Sequence, residues 1–87
     1  MIKIIFDKTC LEWFRDTDLN MTYLTSQRDL IKFLLRQRGY IYLNQIYEIF
    51  TAPWNPDNEN LCWRKEKDLN IEIGEPDQEG AIVITIT

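Results

Sequence analysis

Fourteen Asp and Glu side chains without a single histidine set the chemistry open to this chain. Missing imidazole removes the usual general base near neutral pH and the commonest metal ligand. Neither a Ser-His-Asp nor a Cys-His arrangement can be assembled. The lone serine, Ser26, stands where a helix wants an N-cap. Cys10 and Cys62 are isolated from each other and cannot supply a structural zinc site unaided. Gly39, Gly74 and Gly80 are likewise scattered, so no phosphate-cradling loop is available. An enzyme made from this chain would need paired buried carboxylates. No such pair is visible, and the sequence reads as non-enzymatic, with no cofactor and no metal.

The acids fall into two notable segments. From Asn55 to Glu66 the spacing imitates a calcium loop, with Asn55, Asp57 and Glu59 alternating and Glu66 in twelfth place. That loop needs an aspartate first and a glycine sixth, where this chain has Asn55 and Asn60. Pro56 intrudes and a strand-like segment follows, so a polar turn is the better reading. Glu75, Asp77 and Glu79 sit in GEPDQEG, which reads as a solvated hairpin tip rather than an acid–base pair.

Charge is divided unevenly along the chain. Residues 1–39 carry seven Lys/Arg and five acids, a balance of +2; residues 40–87 carry three and nine, a balance of −6, giving −4 in all. An acidic half argues against a broad nucleic-acid footprint, which needs many cations on phosphates. It suits docking onto a basic protein surface, including the channel of a nucleic-acid enzyme. Trp54, between prolines in a polar loop, is the best candidate for an exposed aromatic anchor. The expected partner-binding set is therefore Trp54, Asp57, Glu59, Glu72, Glu75, Asp77 and Glu79. Trp63, beside Leu61 and Cys62, reads as core. The rival is a DNA-binding face of Arg28, Lys32, Arg36 and Arg38, three of which repeat every four residues. Such a stripe is more often the solvated back of an amphipathic helix.

The elements that must position these residues make an α+β fold in one domain. A chain of this length forms one core and hides about 60–65% of the surface exposed by its unfolded form. Met1 to Phe6 is β-branched and reads as a strand. Thr9 to Met21 has ambiguous periodicity, with Thr9 as the cap of one or two turns and Asp16 to Asn20 as loop. The long helix is expected over Ser26 to Arg38, capped by Thr25 or Ser26, with Asp29 in its first turn and Gly39 at C′. Tyr40 to Tyr42 is extended, and a short helix from Asn44 to Thr51 is capped by Asn44 and stopped by Pro53. After a loop from Ala52 to Asn60, Leu61 to Trp63 returns to the core. Leu69 to Ile73 and Ala81 to Thr87 alternate with period two and read as a C-terminal antiparallel hairpin.

The run RGYIYLNQIYEIFTAPWNPDNENLCW resembles small proteins encoded by bacteriophages and prophages of Gram-positive bacteria. The matching positions are Gly39, Tyr47-Glu48, Asp57-Asn58 and Trp63, then Leu69 to Ile73 and Ala81 to Ile86, about half the chain from residue 28 onward. Cys62 departs from the glycine those proteins tend to have before the tryptophan. The resemblance implies an origin and a bacterial host cell, and no reaction. Helix, GYIY strand, helix and hairpin also resemble a winged-helix domain, with Pro53 to Lys67 in place of its recognition helix.

Nothing at the start resembles a signal peptide, and no apolar run approaches the eighteen residues of a membrane span. Two reduced, core-filling thiols in a cytoplasmic protein are expected. A hairpin ending at Thr87 would leave an unpaired edge, which a homodimer would cover.

Overall fold

Ile2–Phe6 forms strand β1 of the computed structural model, which describes residues 1–87. Helix α1 spans Thr17–Arg38, β2 Tyr40–Tyr42, α2 Leu43–Ile49, β3 Cys62–Arg64, β4 Ile71–Ile73 and β5 Ile82–Ile86. An antiparallel sheet has the order β1-β5-β4, and β2 and β3 make a separate antiparallel ribbon. The architecture is α+β, with an N-terminal strand, one long helix, one short helix and a C-terminal hairpin.

Alternation decides which side of the sheet is dry. Ile4 and Phe6 of β1, Ile82, Ile84 and Ile86 of β5, and Ile71 of β4 are buried. Lys3, Ile5, Val83 and Glu72 lie on the exposed side, as period-two strands require. Leu24, Ile31 and Leu35 of α1 join the buried cluster, as do Leu43, Ile46 and Phe50.

The hairpin's last strand is not an edge. β5 is paired on both sides, so the edges of the sheet are β1 and β4. Val83 O accepts from Gly74 N–H, and Thr87 and Asn70 exchange backbone hydrogen bonds. Odd-numbered residues of β5 thus face β4 and even-numbered ones face β1. By the same register, the backbone groups of Lys3 and Ile5 point toward the free edge of β1.

Helix α1 begins earlier than its sequence suggests. Asp16 is the N-cap, its carboxylate accepting from Asp18 N–H (3.0 Å) and Leu19 N–H (3.2 Å). Ser26 and Asp29 are therefore mid-helix, and the first-turn acid is Asp18. Residues 16–20 are cap and helix, not loop, while Thr9 closes a tight turn on Asp7 instead of capping a helix. Asn20 explains the early start. It is fully buried, and its amide exchanges two hydrogen bonds with the backbone of Phe14 (2.9 and 2.7 Å). Gly39 ends the helix at φ +83°, its N–H bonded to Leu35 O, a conformation glycine adopts without strain.

Helix α2 starts at Leu43 with Tyr42 as its N-cap residue, not at Asn44. Its first orphan donors find partners elsewhere: Leu43 N–H donates to Leu61 O (2.7 Å) and Asn44 N–H to Asn60 Oδ1 (2.9 Å). Gln45 Oε1 accepts from Tyr42 N–H. At its far end Ile49 O accepts from both Tyr23 OH (3.0 Å) and Gln27 Nε2 (2.7 Å), tying α2 to α1. No helix lies between Pro53 and Lys67; β3 occupies part of that stretch. No helix is long and apolar enough to cross a membrane.

Candidate functional site

The hairpin tip between β4 and β5 is built around Asp77. Its Oδ1 accepts from Glu79 N–H (2.8 Å) and Ala81 N–H (3.0 Å), and its backbone bonds to Ala81 and Gly80. Asp77 is thus committed to shaping the loop, the usual work of an aspartate in a turn. Trp13 locks the same loop from outside. Its Nε1–H donates to Gly80 O (3.2 Å), and its ring lies 3.1 Å from where a Gly80 side chain would begin. Glu75 and Glu79 remain exposed on this braced tip.

A second acidic loop follows α2. Asn55 Oδ1 accepts from Asp57 N–H (3.0 Å), and Asn58 N–H donates to Asn55 O. Asp57 and Glu59 are exposed beyond this turn. Trp54 is not a free anchor. It is half-buried against the core, edge-on to Tyr47 with ring centroids 5.0 Å apart. Trp63 is also half-buried against the core.

The sheet keeps these two loops apart. Glu59 and Asn58 border a shallow groove of about 320 Å³ with Ile2, Lys3 and Leu61, at the start of β1. Glu79 borders an open groove of about 560 Å³ with Asp7, Lys8, Phe14 and Arg15, beyond its end. Lys3 and Asp7 are four residues apart, about 13 Å along a strand. Glu72 is level with Lys3, across Thr85 from it on the β4 edge of the sheet. The carboxylates therefore fall at two levels, Glu59 and Glu72 toward the Lys3 end of β1 and Glu79 beyond Asp7, rather than in one cluster. Lys8 and Arg15, which sequence reasoning left out of any site, line the same groove as Glu79; only the fold brings them there.

All nine acids after residue 40 are exposed, and none is ion-paired. The one ion pair of the molecule joins Arg28 Nε to Asp29 at 3.6 Å. The basic alternative is divided. Lys32 is half-buried and Arg36 and Arg38 are exposed, but at 100° per residue Arg38 lies about 160° around the helix from Arg36. The four cations do not share a face.

Three ionisable groups are displaced from their ordinary acidity, each by local structure. Hydrogen bonds from the Thr9 hydroxyl and N–H hold the Asp7 carboxyl below its usual 3.8. Burial pushes the Cys10 thiol above 9.0 and the Tyr23 phenol above 10.0. Cys10 is core, as expected, but Cys62 is exposed. A raised folded-state value means the native protein holds those protons more tightly than the unfolded chain. The associated stability is complete below the ordinary thiol value of 9.0 and is lost as pH climbs through the folded values. The urea midpoint should decline as pH is raised above about 9.0, and Cys10→Ala should make that decline shallower. Equal slopes in both proteins would contradict the assignment to Cys10.

Compared with protein-family models, with curated proteins and with solved structures, the chain finds no match in any of the three.

Proposed function

We propose that this protein is a non-enzymatic binding module that docks its acidic surface onto a basic surface of a protein partner. The observation that carries the reading is the state of the nine carboxylates after residue 40, every one exposed and free of a cation. A folded domain that leaves so many like charges unsatisfied has surface field to offer an oppositely charged partner. Glu79 and Glu75 on a loop braced by Trp13, and Asp57 and Glu59 on a turn set by Asn55, lose little freedom on docking. Lack of imidazole supports contact over catalysis.

The likeness of residues 28–86 to phage and prophage proteins supports a mobile-element origin and a bacterial cytoplasmic setting. Together with the spaced carboxylates it favours a basic nucleic-acid-handling or defence enzyme as partner, inhibited by occupation of its groove. Duplex binding by Arg28, Lys32, Arg36 and Arg38 is less well supported, because one is engaged by Asp29 and another points away.

The test uses immobilised protein and lysate of a Gram-positive host, with a variant carrying Asp57→Lys, Glu59→Lys, Glu75→Lys and Glu79→Lys. Wild type should capture a basic protein at about 50 mM salt and release it by about 500 mM, and the variant should capture none of it. Identical capture by both proteins, or capture indifferent to salt, would refute the reading.

A further inference from the structure

Helix α1 buries Leu24, Ile31 and Leu35, yet its opposite side is not uniformly polar. At 100° per residue, Leu19, Ser26, Leu30, Phe33 and Gln37 occupy a sector about 60° wide, centred about 150° from that buried stripe. Their intervals of seven, four, three and four residues follow the 3.5-residue period of a helix–helix seam. Leu30 and Phe33, at the middle of this face, are 41% and 49% exposed, a costly placement unless something covers them.

We propose that the outer face of α1 pairs antiparallel with the same face of a second copy, forming a two-fold dimer independent of the acidic docking surface. A two-fold interface must be complementary to itself, and this face meets that condition at three levels. Setting Leu30 against Phe33 of the second copy creates two equivalent apolar layers at the centre. The same register places Ser26 against Gln37 on either side, a hydroxyl opposite an amide. Along one flank of the seam lie Asp29 and Arg36, each one residue before a seam position and both exposed. In an antiparallel pair the two copies of this flank meet across the axis. Asp29 then faces Arg36 of the second copy, and the ion pair occurs twice. A parallel pairing would set Asp29 against Leu34 and form no such bond.

Charge complementarity is what selects a second copy over an unrelated apolar partner. Within one molecule Asp29 has only its neighbour Arg28, at 3.6 Å and with 69% of the Asp29 side chain exposed. Such a contact contributes little and is readily exchanged. The seam is narrow, at the small end of stable interfaces, so the dimer is weak, with Kd on the order of 100 μM.

Sedimentation equilibrium from about 1 μM to about 1 mM tests this. The mass should rise from 10.5 kDa toward twice that value. Phe33→Glu should hold the protein monomeric throughout. Asp29→Arg and Arg36→Asp should each raise Kd about tenfold, and the double exchange should restore it. Circular dichroism checks that these exposed substitutions leave the fold unchanged. A protein that stays monomeric at the highest concentration overturns the proposal. So does a dimer untouched by Phe33→Glu, which would use another surface such as the free edge of β1. Single reversals that the double exchange fails to rescue would refute the antiparallel register.

Discussion

Phe6→Ala should lower the thermal midpoint by about 15–30 °C. Phe6 closes the core end of β1, is wholly buried, and stacks on Tyr23 with ring centroids 5.7 Å apart. Truncating such a ring removes its transfer free energy and leaves a cavity, together about 3–5 kcal/mol. A chain of this length has only about 4–13 kcal/mol in total. Tyr23 cannot close the gap, because its hydroxyl is held by Ile49 O. Phe6→Leu keeps most of the volume and should cost less than about 1.5 kcal/mol. Thermal unfolding followed by circular dichroism distinguishes the two. A shift below about 5 °C for alanine would mean that Phe6 is not central to the core.

Asn20→Leu should destabilise by about 2–4 kcal/mol although leucine is apolar, similar in size and a better helix former. Asn20 is the only buried polar residue, and both halves of its amide are bonded to Phe14. Leucine leaves the part-buried Phe14 N–H and C=O without their partner, at about 1–3 kcal/mol per group where water does not replace it. The segment from Thr9 to Arg15 should then loosen from α1, which proteolysis between those residues would reveal. Asn20→Asp retains the acceptor but loses the donor to Phe14 O and buries a charge, so it should not rescue stability. Chemical denaturation of the three proteins checks the order. A leucine variant as stable as wild type would show that the amide only fills space.

Asn20 also marks where sequence reading stopped short. The second half of α1 was legible because Leu30 to Leu35 is apolar and Gly39 supplies a C′ residue. The first half was not, because its buried positions include an asparagine and Leu19 faces solvent. Sequence alone places the cap at Thr25 or Ser26 and Asp16 in a loop, although aspartate caps as well as serine; the contact of Asn20 with Phe14 is what moves the start to Asp16. Alternation disclosed β4 and β5 but not the place of β1 beside β5, a pairing between opposite ends of the chain. The same limit applied to charge. Asp57, Glu59, Glu75 and Glu79 were recognisable as exposed acids. That Asp77 is occupied with its own loop, and that Trp54 lies against Tyr47, depend on local geometry that composition does not encode.

These features meet in the functional reading. A two-loop acidic surface lies at the two ends of β1, braced by Trp13 at one end and by the Asn55 turn at the other. The outer face of α1 is separate and carries mixed charge, so the proposed self-association and the proposed partner capture should respond to different substitutions. Charge reversal on the loops should leave the dimer intact, and Phe33→Glu should leave capture intact.

The most direct measurement is the affinity of wild type for its purified captured partner, by calorimetric titration, at several salt concentrations between about 50 and 500 mM. Docking through free carboxylates predicts that affinity declines continuously with salt across that range, and that Glu75→Gln with Glu79→Gln makes the decline shallower. An affinity that stays constant with salt, or a slope unchanged by removing those charges, would contradict it.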